Sequence, residues 1–350
     1  MIAADINIAG RHIGPSHPPY VIAEISGNHN GKIERAYAII DAAKAAGADA
    51  VKLQTYTPDT MTIDHNGPGF RIDGGPWDGR SLYELYGEAQ TPWDWHIKLF
   101  DYARKAGIAC FSSPFDETAV DFLEGLGAPA YKIASFEVVD IPLIRYVAKR
   151  GKPVIISTGM SSYDELDEAV SAAKESGAAG VVLLHCISAY PAPAEEANLR
   201  RIHTLAERYR CPIGLSDHTL GTAVSTAAVA LGATVIEKHL TLARSDGGPD
   251  AGFSLEPTEF KTLVDSVKTS FGALGRADYG RTKSEAPNLI FRRSLYVVKD
   301  IAAGEALTKE NVRSIRPGFG LAPKHLPKVI GKRAKKAIAR GTPLSLELID

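Results

Sequence analysis

The chain is 350 residues long, with 45% hydrophobic and 23% charged residues, which is typical of a globular protein with a sizeable core. This composition excludes collagen-like, disordered and coiled-coil classes. The net charge is −1, but residues 291–350 carry 13 Lys and Arg against five Asp and Glu, so a basic module follows an acidic one. Acidic residues interrupt the basic ones and aromatics are few, which argues against nucleic-acid binding and favours an acidic partner or an anionic substrate.

In chain order, apolar runs that alternate with helix-like stretches predict eight strands. Most of the helix-like stretches end in Gly, which terminates a helix in the left-handed conformation. Because the runs are almost continuously apolar, they indicate a buried parallel sheet. Eight βα units predict an α/β fold of the (β/α)8 (TIM) barrel type, and an open doubly wound sheet is the main alternative. The predicted strands are 21–25, 50–55, 109–113, 130–135, 154–158, 181–186, 213–217 and 235–239.

Three further segments have their own character. Residues 56–90 form too long a connection for an ordinary βα loop, and their Gly, Pro, Trp and Tyr content predicts a structured lid over one rim. We predict that the barrel spans residues 1–275, a polar linker 276–290 and a small module of short strands and turns 291–350. A module of about 60 residues is marginally stable alone, so we expect it to pack against something else.

The cellular compartment is indicated by the cysteines and by hydropathy. Cys110, Cys186 and Cys211 are an odd number, and the first two lie in apolar runs, which favours free thiols in a reducing compartment. No run approaches the roughly 18 apolar residues of a membrane span, and no basic stretch precedes an apolar run at the N-terminus. We therefore expect a soluble cytoplasmic protein without a membrane partner.

Polar side chains stand at the carboxyl end of nearly every predicted strand, where (β/α)8 barrels carry their chemistry. Any one of them could have a purely structural role, but their convergence predicts a site. They are Glu24, Asn28, Lys52, Gln54, Ser112, Ser113, Lys132, Ser135, Glu137, Ser157, His185, Ser188, Ser216, His218, Glu237 and His239.

Lys52 and Lys132 lie in otherwise apolar strands, and a buried lysine requires an anionic partner. An internal ion pair with Glu24 or Glu237 would satisfy them without any catalytic role. A site for phosphate and carboxylate, with the neighbouring serines as neutral donors, would satisfy them as well. One of the lysines could instead form a Schiff base, as in a carbonyl-using aldolase.

His218 and His239 follow adjacent predicted strands, so their imidazoles could share one metal ion. Two histidines with open coordination positions suit a Lewis-acid cation such as Mn²⁺, whereas a shell of oxygen ligands would suit Mg²⁺. The same pair could equally be hydrogen-bonded core histidines.

With these residues in view, the chain resembles the sialic acid synthase family along essentially its whole length. Residues 291–350 look like the antifreeze-like (SAF) domain that the family carries. Within the family, the stretches SGNHNG, LQTYTPDTMT, SLYELY and TPWDWH look most like pseudaminic acid synthases. The matching stretches include AEISGNHNG (23–31), GADAVKLQT (47–55), SSPFDETAVDFLE (112–124), YKIASFE (131–137), STGM (157–160), GLSDHT (214–219), ALGATVIEKHLT (230–241) and FRRSLYVVKDIAAGEALTKENVRSIRPG (291–318).

The resemblance implies an enzyme that condenses phosphoenolpyruvate (PEP) with an N-acylated amino sugar and water, giving a nine-carbon nonulosonic acid and phosphate. For the pseudaminic group, the sugar is a 2,4-diacetamido-2,4,6-trideoxy hexose, 6-deoxy-AltdiNAc. Sialic or legionaminic acid synthesis from another N-acyl hexose is the alternative inside the family. Outside it, the alternatives are a Schiff-base pyruvate aldolase and a non-catalytic sugar- or ice-binding protein.

The resemblance also implies a role for individual residues. PEP would be held by Lys52, Lys132, Ser135, Ser157 and Ser216. The sugar would be surrounded by Glu24, Gln54, Tyr190, Asp250 and Arg316.

Four further roles follow from the same resemblance. His218 and His239 would hold a divalent metal, Mn²⁺ first, with Mg²⁺ or Co²⁺ as alternatives. Glu24 or Glu137 would remove a proton from the water that adds to C2 of PEP. Ser188 stands where many sialic acid synthases have Asn, which fits a different sugar. The antifreeze-like domain would bring its arginine to the partner's barrel in a domain-swapped homodimer.

Overall fold

The computed structural model describes residues 5–350 and begins with a short antiparallel hairpin that the sequence pattern did not predict. Its strands are β1 (Ile6–Ile8) and β2 (Arg11–Ile13). The isoleucines of both strands are buried, whereas Asn7 and His12 are exposed, as the alternation of side chains along a strand requires. The apolar face of the hairpin packs against the first residues of the following strands and fills one end of the barrel interior.

Parallel strands then close into an eight-stranded barrel in chain order, since the last one pairs with the first. All eight predicted strands are present, and the (β/α)8 fold is confirmed. The fourth strand is shorter than the predicted 130–135, because the chain turns into a 3-10 helix at Ser135–Glu137. The strands are β3 (Tyr20–Glu24), β4 (Ala50–Thr55), β5 (Ala109–Pro114), β6 (Tyr131–Ile133), β7 (Pro153–Ser157), β8 (Gly180–Cys186), β9 (Ile213–Asp217) and β10 (Val235–His239).

Helices surround the barrel, and two short ones lie in the long insertion after β4. Gly47 and Gly107 end their helices in the left-handed conformation, with φ of 88° and 69°, as the sequence predicted. The helices of this unit are α1 (Ile33–Ala46), α2 (Pro58–Met61), α3 (Leu82–Ala89), α4 (Trp93–Ala106), α5 (Glu117–Gly125), α6 (Ile141–Ala148), α7 (Tyr163–Glu175), α8 (Arg201–Tyr209), α9 (Ala223–Ala230) and α10 (Pro257–Leu274). Within residues 5–350, no helix combines the length and the apolarity that crossing a membrane requires.

The alternation of side chains along each strand produces two separate cores. Outward-facing residues pack with the apolar faces of the helices in one large cluster. Inward-facing residues near the strand starts, such as Ile22, Phe111 and Val182, pack with the hairpin in a second cluster. The inward positions nearer the strand ends are polar and buried, for example Lys52 and Glu237. The interior is therefore apolar at its amino end and charged at its carboxyl end.

The chain divides into two compact units, the first of which ends at Gly275, and the second unit spans Arg276–Asp350. The second unit has an antiparallel pair of strands, β11 (Ser294–Val297) and β12 (Val312–Ile315), and one short helix, α11 (Leu326–Val329). Ten buried apolar residues between Leu295 and Ile349 give this unit a core of its own.

Candidate functional site

The candidate site is the charged carboxyl end of the barrel interior. The strand register brings its side chains together, because Glu24 lies beside Lys52 on one neighbour and beside His239 on the other. In the same way, Glu237 lies beside Ser216. All of these side chains are buried, so each interacts in a medium that strengthens electrostatic interactions.

Two lysines and two glutamates form an ion-pair network in this layer. Lys52 Nζ lies 2.6 Å from Glu24 Oε2 and 3.7 Å from Glu237 Oε1, and Lys132 Nζ also lies 3.7 Å from Glu237 Oε1. Lys132 Nζ further donates to Ser157 Oγ at 2.7 Å. The internal ion pairs considered from the sequence are therefore present, and they hold both ammonium groups at one place in the barrel.

The network is electrostatically unbalanced. Burial raises the pKa of Glu24 to about 7 despite the nearby Lys52. Burial lowers the pKa of Lys132, which the more distant Glu237 does not fully offset. Glu237 Oε2 is buried and has no hydrogen-bond partner among the described residues. Since a negative ligand would favour the charged form of both lysines, the layer is suited to binding an anion.

The serines surround a glycine that the sequence analysis did not single out. Gly159 N donates to Ser135 Oγ at 3.2 Å. A Cβ at Gly159 would lie 2.1 Å from Ser188 Oγ and 2.7 Å from Ser135 Oγ, so only glycine leaves this space open. Its φ is not in the left-handed region, so close approach is the reason for glycine. The signal in the sequence is the STGM stretch directly after β7. Ser216 lies apart from this group and donates to Glu237 Oε1 at 3.1 Å.

His218 and His239 lie next to each other, with ring centroids 5.5 Å apart. His218 Nδ1 lies 3.0 Å from the carbonyl oxygen of Ile187. Because a carbonyl oxygen can only accept, Nδ1 of the neutral ring carries the proton and the lone pair of His218 Nε2 is free. Ser26 Oγ donates its proton to Asp250 Oδ2 at 2.5 Å, so it accepts from His239 Nδ1 at 3.2 Å. The lone pair of His239 Nε2 is therefore free as well.

Two free imidazole nitrogens fit a divalent cation with open coordination positions. Burial, together with His218 and Lys52, lowers the pKa of His239 well below its ordinary value and favours the neutral, ligating form. Burial alone would lower the pKa of His218 too, but its contact with Cys186 raises it. Within residues 5–350, no third His, Cys, Asp or Glu forms a group with His218 and His239 in which all ligand atoms lie within 4.8 Å of one another. Water and substrate would therefore complete the shell.

Two further carboxyl groups lie near this layer, Glu137 close enough to feel the charge of Lys132 and Asp250 linked through Ser26 to His239. Glu137 is half-buried, and its Oε2 has no hydrogen-bond partner in the described part of the chain. Burial raises the pKa of Glu137 to about 7. Burial also raises the pKa of Asp250, which accepts from Gly27 N at 3.2 Å. Gln54 Nε2 donates to Glu24 Oε1 at 3.1 Å, so Glu24 is held by two partners and Glu137 is not.

Aromatic side chains form a wall beside the histidines. Tyr190 lies 4.3 Å from the His218 ring and 5.3 Å from Phe253, measured between centroids. Trp77, from the insertion after β4, extends the wall at 5.6 Å from Tyr190 and donates from Nε1 to the carbonyl of Pro249 at 2.8 Å. The residue content of this insertion predicted a lid but did not indicate Trp77, because no local pattern links it to a residue 113 positions later.

The structure thus brings together the barrel residues to which the resemblance gives a role. Two other candidates lie elsewhere, because they occupy outward positions of their strands: Ser112 Oγ lies 2.6 Å from Thr55 Oγ1, and His185 Nε2 lies 2.6 Å from the carbonyl oxygen of Ala197. Arg316 belongs to the second unit, where it directly follows β12 and is exposed, so its role at the site stays a prediction.

Comparison with known proteins gives two family matches that together cover most of the chain. Residues 39–279 match the NeuB family, and residues 292–350 match the SAF domain.

Individual proteins are similar over nearly the full length. Pseudaminic acid synthase from Campylobacter jejuni subsp. jejuni (serotype O:23/36, strain 81-176) is 46% identical over 93% of this chain and 95% of its own. Pseudaminic acid synthase from Helicobacter pylori (strain ATCC 700392 / 26695) is 44% identical over 95% of this chain and 98% of its own. The crystal structure of N-acetylneuraminic acid (sialic acid) synthetase from Leptospira borgpetersenii serovar Hardjo-bovis superposes with a TM-score of 0.74, at 32% identity, over 82% of this chain and 96% of that one.

Proposed function

The chain belongs to the NeuB family, and we propose that it is a pseudaminic acid synthase. It is an enzyme that forms a carbon–carbon bond with PEP. The reaction joins PEP to 6-deoxy-AltdiNAc with water and gives a nine-carbon nonulosonic acid and phosphate. The proposal rests on one observation. Two buried lysines and two histidines with free Nε2 lone pairs lie together at the carboxyl end of one barrel.

PEP binds to the ion-pair layer. Lys52 and Lys132 hold its phosphate and carboxylate, and the hydroxyls of Ser135, Ser157 and Ser216 provide neutral donors next to them. Because both ammonium groups are already fixed by Glu24 and Glu237, little ordering is required when the substrate arrives. The family resemblance further suggests that Ser188, beside Gly159, contacts the substrate.

His218 and His239 would hold a divalent cation, for which Mn²⁺ is the first candidate and Mg²⁺ or Co²⁺ the alternatives. A cation there would polarise the aldehyde carbonyl of the sugar and neutralise the charge that develops on its oxygen. The hydrogen bonds of the two Nδ1 atoms fix the ring orientations for this task.

Glu137 is the base that removes a proton from the water added to C2 of PEP. Its free carboxylate oxygen and its pKa of about 7 suit a general base at neutral pH. Glu24 has a similar pKa but is bound to Lys52 and Gln54, so we assign it the task of orienting the lysine and the sugar. Phosphate then leaves with cleavage of the bond between C2 and the bridging oxygen.

The preference for a deoxy, diacetamido sugar is supported by the aromatic wall. This sugar carries three methyl groups, one at C6 and one on each acetamido group, where N-acetylmannosamine has one methyl group and further hydroxyls. Trp77, Tyr190 and Phe253 present apolar rings next to the histidines, and burying a methyl group against them contributes roughly 1 kcal/mol. Gln54 and Asp250 provide polar contacts on the same substrate.

The test is a comparison of sugars with the purified full chain and Mn²⁺. Phosphate release from PEP is measured with 6-deoxy-AltdiNAc, with a 2,4-diacetamido-2,4,6-trideoxy hexose of another configuration, and with N-acetylmannosamine. We expect kcat/KM to be at least about tenfold higher for the first sugar than for N-acetylmannosamine, since each of its two further methyl groups contributes about 0.8 kcal/mol. The other diacetamido sugar has the same methyl groups, so it tests the configuration that the site accepts, and we expect it to react more slowly. Faster release with either of the others would assign the chain to legionaminic or sialic acid synthesis instead.

A Schiff-base aldolase is the second candidate, because the lowered pKa of Lys132 is what such chemistry requires. Treatment with borohydride in the presence of pyruvate separates the two. We expect no adduct by mass spectrometry, whereas a reduced adduct on Lys132 or Lys52 would establish the aldolase.

We further propose a domain-swapped homodimer in which Arg316 serves the partner's site, in line with the basic second module and the acidic barrel. Arg316→Ala and His218→Ala subunits would each be inactive alone, but their mixed dimer would contain one complete site. After random exchange at equal amounts, about a quarter of wild-type activity should return. No recovery, with mixed dimers present by mass spectrometry, would rule out action in trans. A cytoplasmic location stays a prediction.

A further inference from the structure

The N-terminal hairpin carries a cluster of metal-ligating side chains that is separate from the barrel site. Asp5, His12 and His17 each place one ligand atom so that all three atoms lie within 4.8 Å of one another. Among the residues that the structure describes, no other group of three or more His, Cys, Asp and Glu side chains has its ligand atoms this close together. None of the three has a part in the proposed reaction.

The cluster combines a hydrogen-bonded Asp–His pair with a second imidazole. His17 Nε2 lies 2.8 Å from Asp5 Oδ2. The rings of His12 and His17 stack with centroids 5.5 Å apart and an interplanar angle of 25°. A hydrogen bond between Asp5 and His17 would not by itself require the ring of His12, so a role for all three explains the arrangement better.

The backbone under the cluster is fixed by its surroundings. The opposite face of the hairpin is buried in the barrel, which sets the position of β2 and therefore of His12. The turn that follows is closed by a hydrogen bond from His17 N to the Gly14 carbonyl at 3.1 Å. A Cβ at Gly14 would lie 2.0 Å from Asp5 Oδ1, so glycine leaves the space that this carboxylate occupies. A preorganised set of ligands binds a metal without first being ordered.

We propose that Asp5, His12 and His17 form a binding site for a transition-metal cation, with Zn²⁺ as the best match. Two imidazole nitrogens and one carboxylate oxygen are a common set of protein ligands for Zn²⁺, with water in the fourth position. The same set is a poor match for Mg²⁺ or Ca²⁺, which prefer oxygen ligands throughout. The half-exposed side chains of Asp5 and His17 leave access for the ion and its water.

The site has a structural consequence for the barrel. A cation there ties the chain before β1 to the turn after β2, and so it closes the hairpin that fills the amino end of the barrel. Because the unfolded chain does not hold the three ligands together, binding stabilises the folded state by mass action.

The proposal is tested by Zn²⁺ titration of the full chain after chelator treatment and removal of any affinity tag. To remove the barrel histidines as competing ligands, the titration uses the His218→Ala/His239→Ala variant, with its folding checked by circular dichroism. We expect one equivalent of bound Zn²⁺ by calorimetry and an upward shift of the melting temperature. His12→Ala or His17→Ala in that background should weaken binding at least about tenfold and abolish the shift, since loss even of a residue that only orients a ligand costs about 10–100-fold.

His203→Ala is the matched control, since His203 is also exposed and paired with a carboxylate, Glu207, at 3.1 Å on α8. It should leave Zn²⁺ binding unchanged. Equal loss in this control, or a titration that His12→Ala does not alter, would show adventitious surface binding and overturn the proposal. Wild-type protein provides the second measurement: it should bind more Zn²⁺ than its His12→Ala variant by one equivalent. These outcomes do not depend on which sugar the enzyme uses.

Discussion

The two ends of the barrel interior are built from the same strands with the same alternation, yet they have opposite chemistry. On β10, Val235 faces inward at the amino end and packs with the hairpin, while His239 faces inward four residues later and lies beside another histidine. On β5, the corresponding inward pair is Phe111 and Ser113, the latter 3.4 Å from Lys52 Nζ. One strand therefore contributes to both a packed apolar layer and a charged layer.

The difference separates stability from chemistry along the barrel axis. The apolar layer is a cluster of buried hydrophobic side chains completed by the hairpin, so these side chains stabilise the fold by burial and packing. The charged layer pays desolvation for four ionisable groups, which is compensated only in part by ion pairs. We call the charged layer the upper layer and the apolar layer the lower layer. We infer that substitutions in the upper layer change turnover and those in the lower layer change the free energy of unfolding.

The largest expected effect is in the upper layer. His239→Ala should lower kcat/KM by at least about a thousandfold, because a cation that stabilises developing charge supplies several kcal/mol. Its free energy of unfolding should stay within about 1 kcal/mol of wild type, since the strands pair without the ion. Steady-state kinetics and urea unfolding measure the two quantities, and chelator treatment of wild-type enzyme should reproduce the kinetic loss. Full activity after chelation would remove the cation from the reaction.

In the lower layer, Phe111→Ala should do the reverse. Loss of this fully buried ring should reduce the free energy of unfolding by about 3–5 kcal/mol. The kcat per folded molecule should remain near that of wild type, as measured at a temperature where the variant is folded. A large fall in kcat with unchanged stability would contradict the separation of the two layers.

Glu137→Gln should lower kcat by about a hundredfold or more, as loss of a general base does. The pKa of Glu137 is raised to about 7 and the base acts only when deprotonated, so wild-type kcat/KM should rise with pH up to about 7 and then level off. The variant should lose this dependence. If Glu137→Gln keeps it and Glu24→Gln loses it, Glu24 is the base.

Trp77→Ala should have the smallest effect. The kcat/KM for 6-deoxy-AltdiNAc should fall about tenfold, in line with the loss of about 1–2 kcal/mol of apolar contact, while KM for PEP stays constant. Trp77→Phe should restore most of the loss, because the phenyl ring keeps the apolar surface. Equal losses with both variants would assign Trp77 to holding Pro249 through its Nε1 hydrogen bond instead.

The sequence predicted the barrel because its strands are long apolar runs that end in polar residues, and helix-ending glycines such as Gly47 separate them. The hairpin was missed because β1 and β2 have three residues each, too few for a periodic signal. Trp77 and Gly159 were missed because their role depends on contacts with Tyr190 and with Ser188, which only the closed fold provides.

The partners of the two lysines were not determined by the sequence either. It left open an ion pair and a phosphate site, since spacing along separate strands does not give distances. The structure has the ion pairs, with Glu237 Oε1 at 3.7 Å from both Lys52 and Lys132. Two ammonium groups held in place by ion pairs can also bind phosphate, so the structure is compatible with both the ion pair and the phosphate site.

The most direct test is the condensation with PEP that carries oxygen-18 at the bridging position between C2 and phosphorus. With 6-deoxy-AltdiNAc and Mn²⁺, the purified chain should produce a nine-carbon acid, and the label should appear in the released phosphate, because water attacks C2. Mass spectrometry of both products measures this. Label retained in the sugar acid, or no nine-carbon acid from active protein, would contradict the reaction proposed for the upper layer of the barrel.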